Sequence, residues 1–170
     1  MQFKVLNDAE LKRQIFSEDS VLISIVGKEE KIPEAVERAV NVLFLDFEDL
    51  NPENEEQSQD FESYCNLEEI TSVLEVLEDP SIDVVYVHST SSTARSLAVT
   101  AGLLSSQGED PKEVLYQIVN QDASTQPNYW VLALFDYVLG LSGALTTAAD
   151  DYLATGEVVS KSGRIISHTN

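Results

Sequence analysis

The sequence is poor in the residues that build disulfide and metal sites: 170 residues contain one cysteine, Cys65, and two histidines, His88 and His168. A lone thiol excludes an intrachain disulfide framework, and a multi-ligand zinc cluster needs more Cys and His than the chain holds. No metal and no cofactor is expected. The sequence also lacks an apolar run of 18 residues free of charge, and MQFKVLNDAE shows no basic start followed by an apolar stretch. Neither a membrane span nor a secretion signal is read, so a cytoplasmic location is expected. Positive charge is the largest deficit. Ten Lys and Arg stand against thirty Asp and Glu, a formal net charge of -20, and no Lys or Arg occurs between Arg38 and Arg95. Inside that gap, Asp46 to Asp79 carries thirteen acids, among them Glu53, Glu55, Glu56, Asp60 and Glu62. Such a field repels phosphate backbones, which argues against direct binding of nucleic acid or an anionic membrane. It leaves a solubilising face, or a docking face for a basic protein partner, including a decoy that imitates the charge of DNA.

What is present suits a single α/β domain, because 170 residues with 43% hydrophobic content can bury one sizeable core. Phe3 to Leu6 reads as a strand, Asp8 to Phe16 as a helix capped by Asn7 or Asp8, and Val21 to Val26 as a buried strand. Pro33 opens a short helix through Ala39, Val42 to Phe47 gives another strand, and an acidic loop runs from Glu48 to Tyr64. Leu67, Ile70, Val73, Leu74 and Leu77 keep helical spacing with Glu68, Glu69 and Glu75 left for water. Asp79-Pro80-Ser81 ends that helix, and Val84 to Val87 should be the central strand of a mostly parallel sheet flanked by helices. An apolar helix then runs to about Gly108, Pro111 opens a further one, and Asn128 to Leu139 is apolar nearly all round. Beyond Gly140 the composition turns to Ser, Thr, Gly and Ala. Residues 141–170 are read as an extension of a 1–140 domain, either partly mobile or a small hairpin about Ser162-Gly163.

The chemistry-bearing stretch is His88-Ser89-Thr90-Ser91-Ser92-Thr93-Ala94-Arg95-Ser96, set between a buried strand and a buried helix. A loop in that position directs backbone N–H groups and the positive end of the helix at one point, an oxyanion cradle. Arg95 can close it, because a guanidinium fork pairs with two phosphate oxygens. A Ser/Thr-rich turn with Arg95 paired to a carboxylate is the alternative on spacing alone.

His-Ser, five residues, then Arg-Ser resembles the phosphate loop of the cysteine-dependent tyrosine and dual-specificity phosphatases, His-Cys-x5-Arg-Ser/Thr, with Ser89 where the nucleophilic cysteine stands. The order of elements is similar too: a strand ending near Phe47-Glu48-Asp49, a covering helix, the strand-loop-helix, and Pro127-Asn128 opening the last large helix. The resemblance covers about residues 1–140, in the manner of compact bacterial and viral members. It implies that Ser89 to Arg95 (Ser89, Thr90, Ser91, Ser92, Thr93, Ala94, Arg95) hold a phosphoryl group. It also implies that Ser96 stabilises the leaving nucleophile and that His88 orients the loop. Asp49 is the candidate general acid, with Glu48 and Asp46 as alternatives.

Two departures bear on activity. Serine forms an alkoxide far less readily than cysteine a thiolate, and Ser92 stands where the family has a glycine for the tight turn. The expected function is therefore a catalytically silent phosphatase-like protein that binds a phosphorylated protein, a small phosphorylated ligand or a protein partner. The alternatives are an active phosphatase captured with serine at 89, and an acidic interaction or decoy protein on the same scaffold. Cys65, with no basic neighbour in sequence, is read as an inert thiol.

Overall fold

The computed structural model describes residues 1–51 and 61–167; Glu53, Glu55, Glu56 and Asp60 of the acidic stretch, and His168, lie outside the described residues. Four parallel strands form the sheet, β1 (Gln2–Leu6), β2 (Ser20–Ile25), β3 (Asn41–Leu45) and β4 (Val84–Ser89), in the order β1-β4-β2-β3. β4 is paired on both sides, so its Val-Val-Tyr-Val run meets apolar neighbours above and below. Register aligns Leu6 with His88 and Ile25 with Ser89, which brings the carboxyl ends of three strands level.

Side-chain alternation divides the interior in two. Val21, Ile23, Ile25, Val85 and Val87 point into the larger core, shared with α2 (Leu67–Glu75), α3 (Ala94–Ser106), α4 (Pro111–Gln121), α5 (Tyr129–Val138) and α6 (Ala144–Thr155). Leu22 and Tyr86 point the other way and pack with Leu6, Leu11 and Val36 beneath α1 (Asp8–Leu11) and a 3-10 turn at Glu34–Arg38. Helix starts follow their sequence signals. Asn7 with Glu10, and Asn66 with Glu69, form reciprocal capping boxes, Asp110 caps the Pro111 helix, and Asn128 caps α5. Among the described residues no helix is long and apolar enough to cross a membrane.

The expected helix over Asp8 to Phe16 stops at Leu11. Ile15, which a continued helix would set on the face of Leu11, is 87% exposed, while Phe16 packs edge-on against Tyr86 with ring centroids 5.4 Å apart. A tertiary aromatic contact thus overrides the local register. The Leu67 to Leu77 helix narrows to a 3-10 turn at Val76–Glu78, and Leu67 faces outward.

The larger difference lies past Gly140, where the expected extension contains a twelve-residue helix, α6. Leu145, Ala148, Ala149 and Tyr152 are buried at helical spacing, but small residues muted the stripe. Its start is capped from α5: buried Asp136 accepts the Leu145 and Thr146 amides and the Thr146 hydroxyl at 2.9 to 3.0 Å. The hairpin follows as β5 (Glu157–Val159) and β6 (Ile165–Ser167), with Gly163 at φ 79 in its turn.

Candidate functional site

Sheet topology creates the site. The chain leaves β1 and β2 onto the face of α1, but leaves β4 onto the opposite face, into α3. β4 therefore diverges from both neighbours at its carboxyl end, and a crevice opens on each side of the β4–α3 connection, the position where open parallel sheets take ligands. A cleft of about 710 Å3 lies on the β1 side and reaches Thr93. One of about 360 Å3 lies on the β2 side and reaches Thr90 and Ser91.

The connection is shorter than the motif suggests. His88 and Ser89 complete β4, and Ala94, Arg95 and Ser96 form the first turn of α3. Ser89 Oγ lies 3.0 Å from Ser96 Oγ, receives the Ser96 amide at 3.2 Å, and donates to the Ser92 carbonyl at 2.5 Å. His88 belongs to the other face: its Nε2 donates to Asp8 Oδ1 at 2.9 Å, in α1. Adjacent strand residues point oppositely, so His88 braces the strand end against α1 and is no base for Ser89. The tight turn falls at Ser91, whose φ of 64 lies in the left-handed region, rather than at Ser92. Ser92 instead donates its amide to the Thr90 carbonyl and accepts the Ala94 amide on its hydroxyl.

Arg95 is 1% exposed, so its guanidinium must find partners inside. Nη1 donates to the Phe47 carbonyl at 2.7 Å, and Nη2 to the Thr90 carbonyl at 2.5 Å and Glu30 Oε2 at 3.0 Å; buried Nε has no partner among the described residues. Glu30, in the segment after β2, is the residue the sequence reading missed. Its carboxylate also accepts Thr90 Oγ1, Ser91 Oγ and the Gly27 amide. Burial would raise its pKa, but hydrogen bonds from Ser91, Thr90, Gly27 and Arg95 outweigh this and hold it at about 2. The available signal was positional: Gly27-Lys28-Glu29-Glu30 follows a buried strand directly, at the sheet's carboxyl edge.

Asp49 is exposed at the rim. Its Oδ1 accepts Asn128 Nδ2 at 2.7 Å, and the Asn128 amide donates to the Ala94 carbonyl at 3.0 Å, so Asp49 is tied through one residue to the start of α3. Glu48 accepts the Lys28 amide, and the Asp46 amide donates to Glu69 in the first turn of α2. On the other wall, Asp122 accepts Thr93 Oγ1 and the amide and hydroxyl of Ser124. Burial opposes ionisation there too, but the Ser124 and Thr93 hydroxyls hold Asp122 at about 2. Cys65 is buried and lies away from the loop on the α2 side; burial and the Glu69 charge push its thiol pKa up, leaving it a poor nucleophile. Among the described residues no three His, Cys, Asp or Glu side chains converge as metal ligands.

No protein-family model matches the chain, and comparison with curated proteins finds no match either.

Proposed function

We propose that the chain is a phosphate-binding protein on a phosphatase-like α/β scaffold, without phosphatase turnover. The observation that carries this is the set of donors around Glu30. Thr90 Oγ1, Ser91 Oγ and Arg95 Nη2, all from the β4–α3 connection or the first turn of α3, converge on one oxyanion. Donors that hold a carboxylate suit the oxygens of a phosphoryl group, and Arg95 Nε remains for one more. Turnover is not supported, because Ser89 Oγ donates to a backbone carbonyl and has no base beside it.

The test is isothermal titration of orthophosphate and tungstate into the intact chain. Wild type is expected to bind both. Arg95→Lys, which keeps charge but loses the fork, should weaken binding at least tenfold while circular dichroism reports an intact fold. Glu30→Gln should tighten binding, since a resident carboxylate competes for the same donors. Absence of Arg95-dependent binding by either anion overturns the reading.

A further inference from the structure

The donors of the β4–α3 connection face the smaller cleft, on the β2 side, where Thr90, Ser91 and Glu30 form the lining together with Lys12 and Lys31. Both lysines are exposed, and neither lies within 4 Å of a carboxylate among the described residues, although the chain carries three acids for every base. The carboxylates that line the cleft are engaged with other partners. Asp8 accepts His88 Nε2, and Glu30 accepts Thr90, Ser91, Arg95 and the Gly27 amide. One cleft thus gathers donors round an oxyanion and presents two ammonium groups beside them.

Size and lining narrow what such a cleft takes. Its 360 Å3 lies at the lower end of the roughly 300–1,000 Å3 of small-molecule sites, so the ligand is small. Its apolar lining is Leu11 and Pro33, and no aromatic side chain lines it among the described residues, so an aryl phosphate has no ring to pack on. The body of the ligand is accordingly short and aliphatic. Glu30 marks where the first anionic group sits, and it is only partly buried, so its side chain can turn to water when another oxyanion takes its donors. Arg95, Lys12 and Lys31 then offer one positive charge each, and a phosphate monoester with one carboxylate brings about three negative charges at neutral pH.

We propose that the ligand is a small aliphatic phosphate monoester with a second anionic group, a phosphorylated hydroxy acid in class. Its phosphoryl group replaces the Glu30 carboxylate on Thr90, Ser91 and Arg95, and its carboxylate lies on Lys12 and Lys31 in the same cleft. This rests on the reading of the loop as a phosphate site. Lys4 and Arg13 line the cleft on the other side of the β4–α3 connection and take no part.

The experiment titrates the intact chain with orthophosphate, glycerol 3-phosphate, 3-phosphoglycerate and phenyl phosphate. Glycerol 3-phosphate and 3-phosphoglycerate share the phosphate ester and the carbon chain, and differ in whether the far end is a hydroxymethyl group or a carboxylate. The carboxylate is expected to tighten binding at least tenfold, about the worth of one charge-assisted hydrogen bond. Lys12→Gln with Lys31→Gln should remove most of that advantage, and Lys4→Gln with Arg13→Gln should leave it. All four positions are exposed, so thermal melts should match wild type. If orthophosphate shows no Arg95-dependent binding, the phosphate reading itself fails. If orthophosphate binds in that way but 3-phosphoglycerate gains nothing over glycerol 3-phosphate, or both double variants lose the advantage equally, only the carboxylate subsite is overturned. Phenyl phosphate binding more tightly than 3-phosphoglycerate also overturns the assignment, because the ligand is then an aryl phosphate.

Discussion

Ser89 ends β4 and Arg95 stands six residues on, in the first turn of α3, yet the two are in different states of readiness. Ser89 Oγ already receives the Ser96 amide, a donor that would stabilise a negative sulfur there, and lies beside the Ser96 hydroxyl, which donates to the Thr93 carbonyl and would have to turn to become a second. Opposed to this is the Ser92 carbonyl, which accepts from Ser89 Oγ and would have to turn away from a thiolate. A thiol ionises with an ordinary pKa of about 8.5, lower still at a helix start, whereas a serine without a base does not ionise usefully. Loss of a nucleophile costs on the order of a millionfold in turnover. Ser89→Cys is accordingly expected to hydrolyse p-nitrophenyl phosphate where the Ser89 chain does not. Asp49→Asn in that background should lower the rate at least tenfold, most clearly with poorly activated leaving groups. A Ser89→Cys chain that binds orthophosphate but stays inert would count against the phosphatase mechanism. Spacing made Ser89 and Arg95 legible, because strand, loop and helix fix where the intervening donors point. Glu30 was not legible, since its partners are set by the pairing of β2 with β4, sixty residues apart in sequence.

At the scale of elements, strands were easier to read than helix limits. β2 and β4 are short runs rich in Val and Ile with no charged residue but His88, the pattern of strands buried on both faces of a parallel sheet. α1 was overextended because the packing of Phe16 on Tyr86 is not local. α6 was missed because Ala148 and Ala149 carry its buried face, where an apolar stripe is sought in larger side chains. Its anchorage rests on Asp136 more than on that stripe. Hydrogen bonds to a charged group contribute roughly 1.5–3 kcal/mol each at most, and the three made by Asp136 share one carboxylate. Taking about 2 kcal/mol for Asp136→Ala, and about 2–4 °C per kcal/mol at this chain length, Tm should fall by about 4–8 °C. Amide exchange should quicken first at Leu145 and Thr146, and Asp136→Asn, which keeps one acceptor, should lose less. A Tm within a degree of wild type would mean that α6 is held by its small apolar face alone.

For the whole molecule, the question is how an anion reaches a site on a chain with a net charge of -20. Residues 1–40 contain six of the ten basic residues and eight acids, so the surplus of carboxylates belongs to the remainder of the chain. The far field is thus repulsive to a phosphate, and only the near field of Lys4, Lys12, Arg13, Lys31 and Arg95 attracts it. Salt separates the two by distance, since the screening length shrinks from about 30 Å at 0.01 M to about 8 Å at 0.15 M. Association of orthophosphate should therefore become faster as salt rises over that range, read by stopped-flow competition with a fluorescent phosphate analogue. A basic protein docking on the Asp46 to Asp79 stretch must behave in the opposite way, its association slowing steeply with salt. Replacing Glu53, Glu55 and Glu56 by Gln extends the comparison, because it should quicken an anion at low salt and slow a basic partner. An anion whose association slows with salt would show that the clefts' cations govern the field well beyond the site, and the acidic remainder would then have no part in admitting ligands.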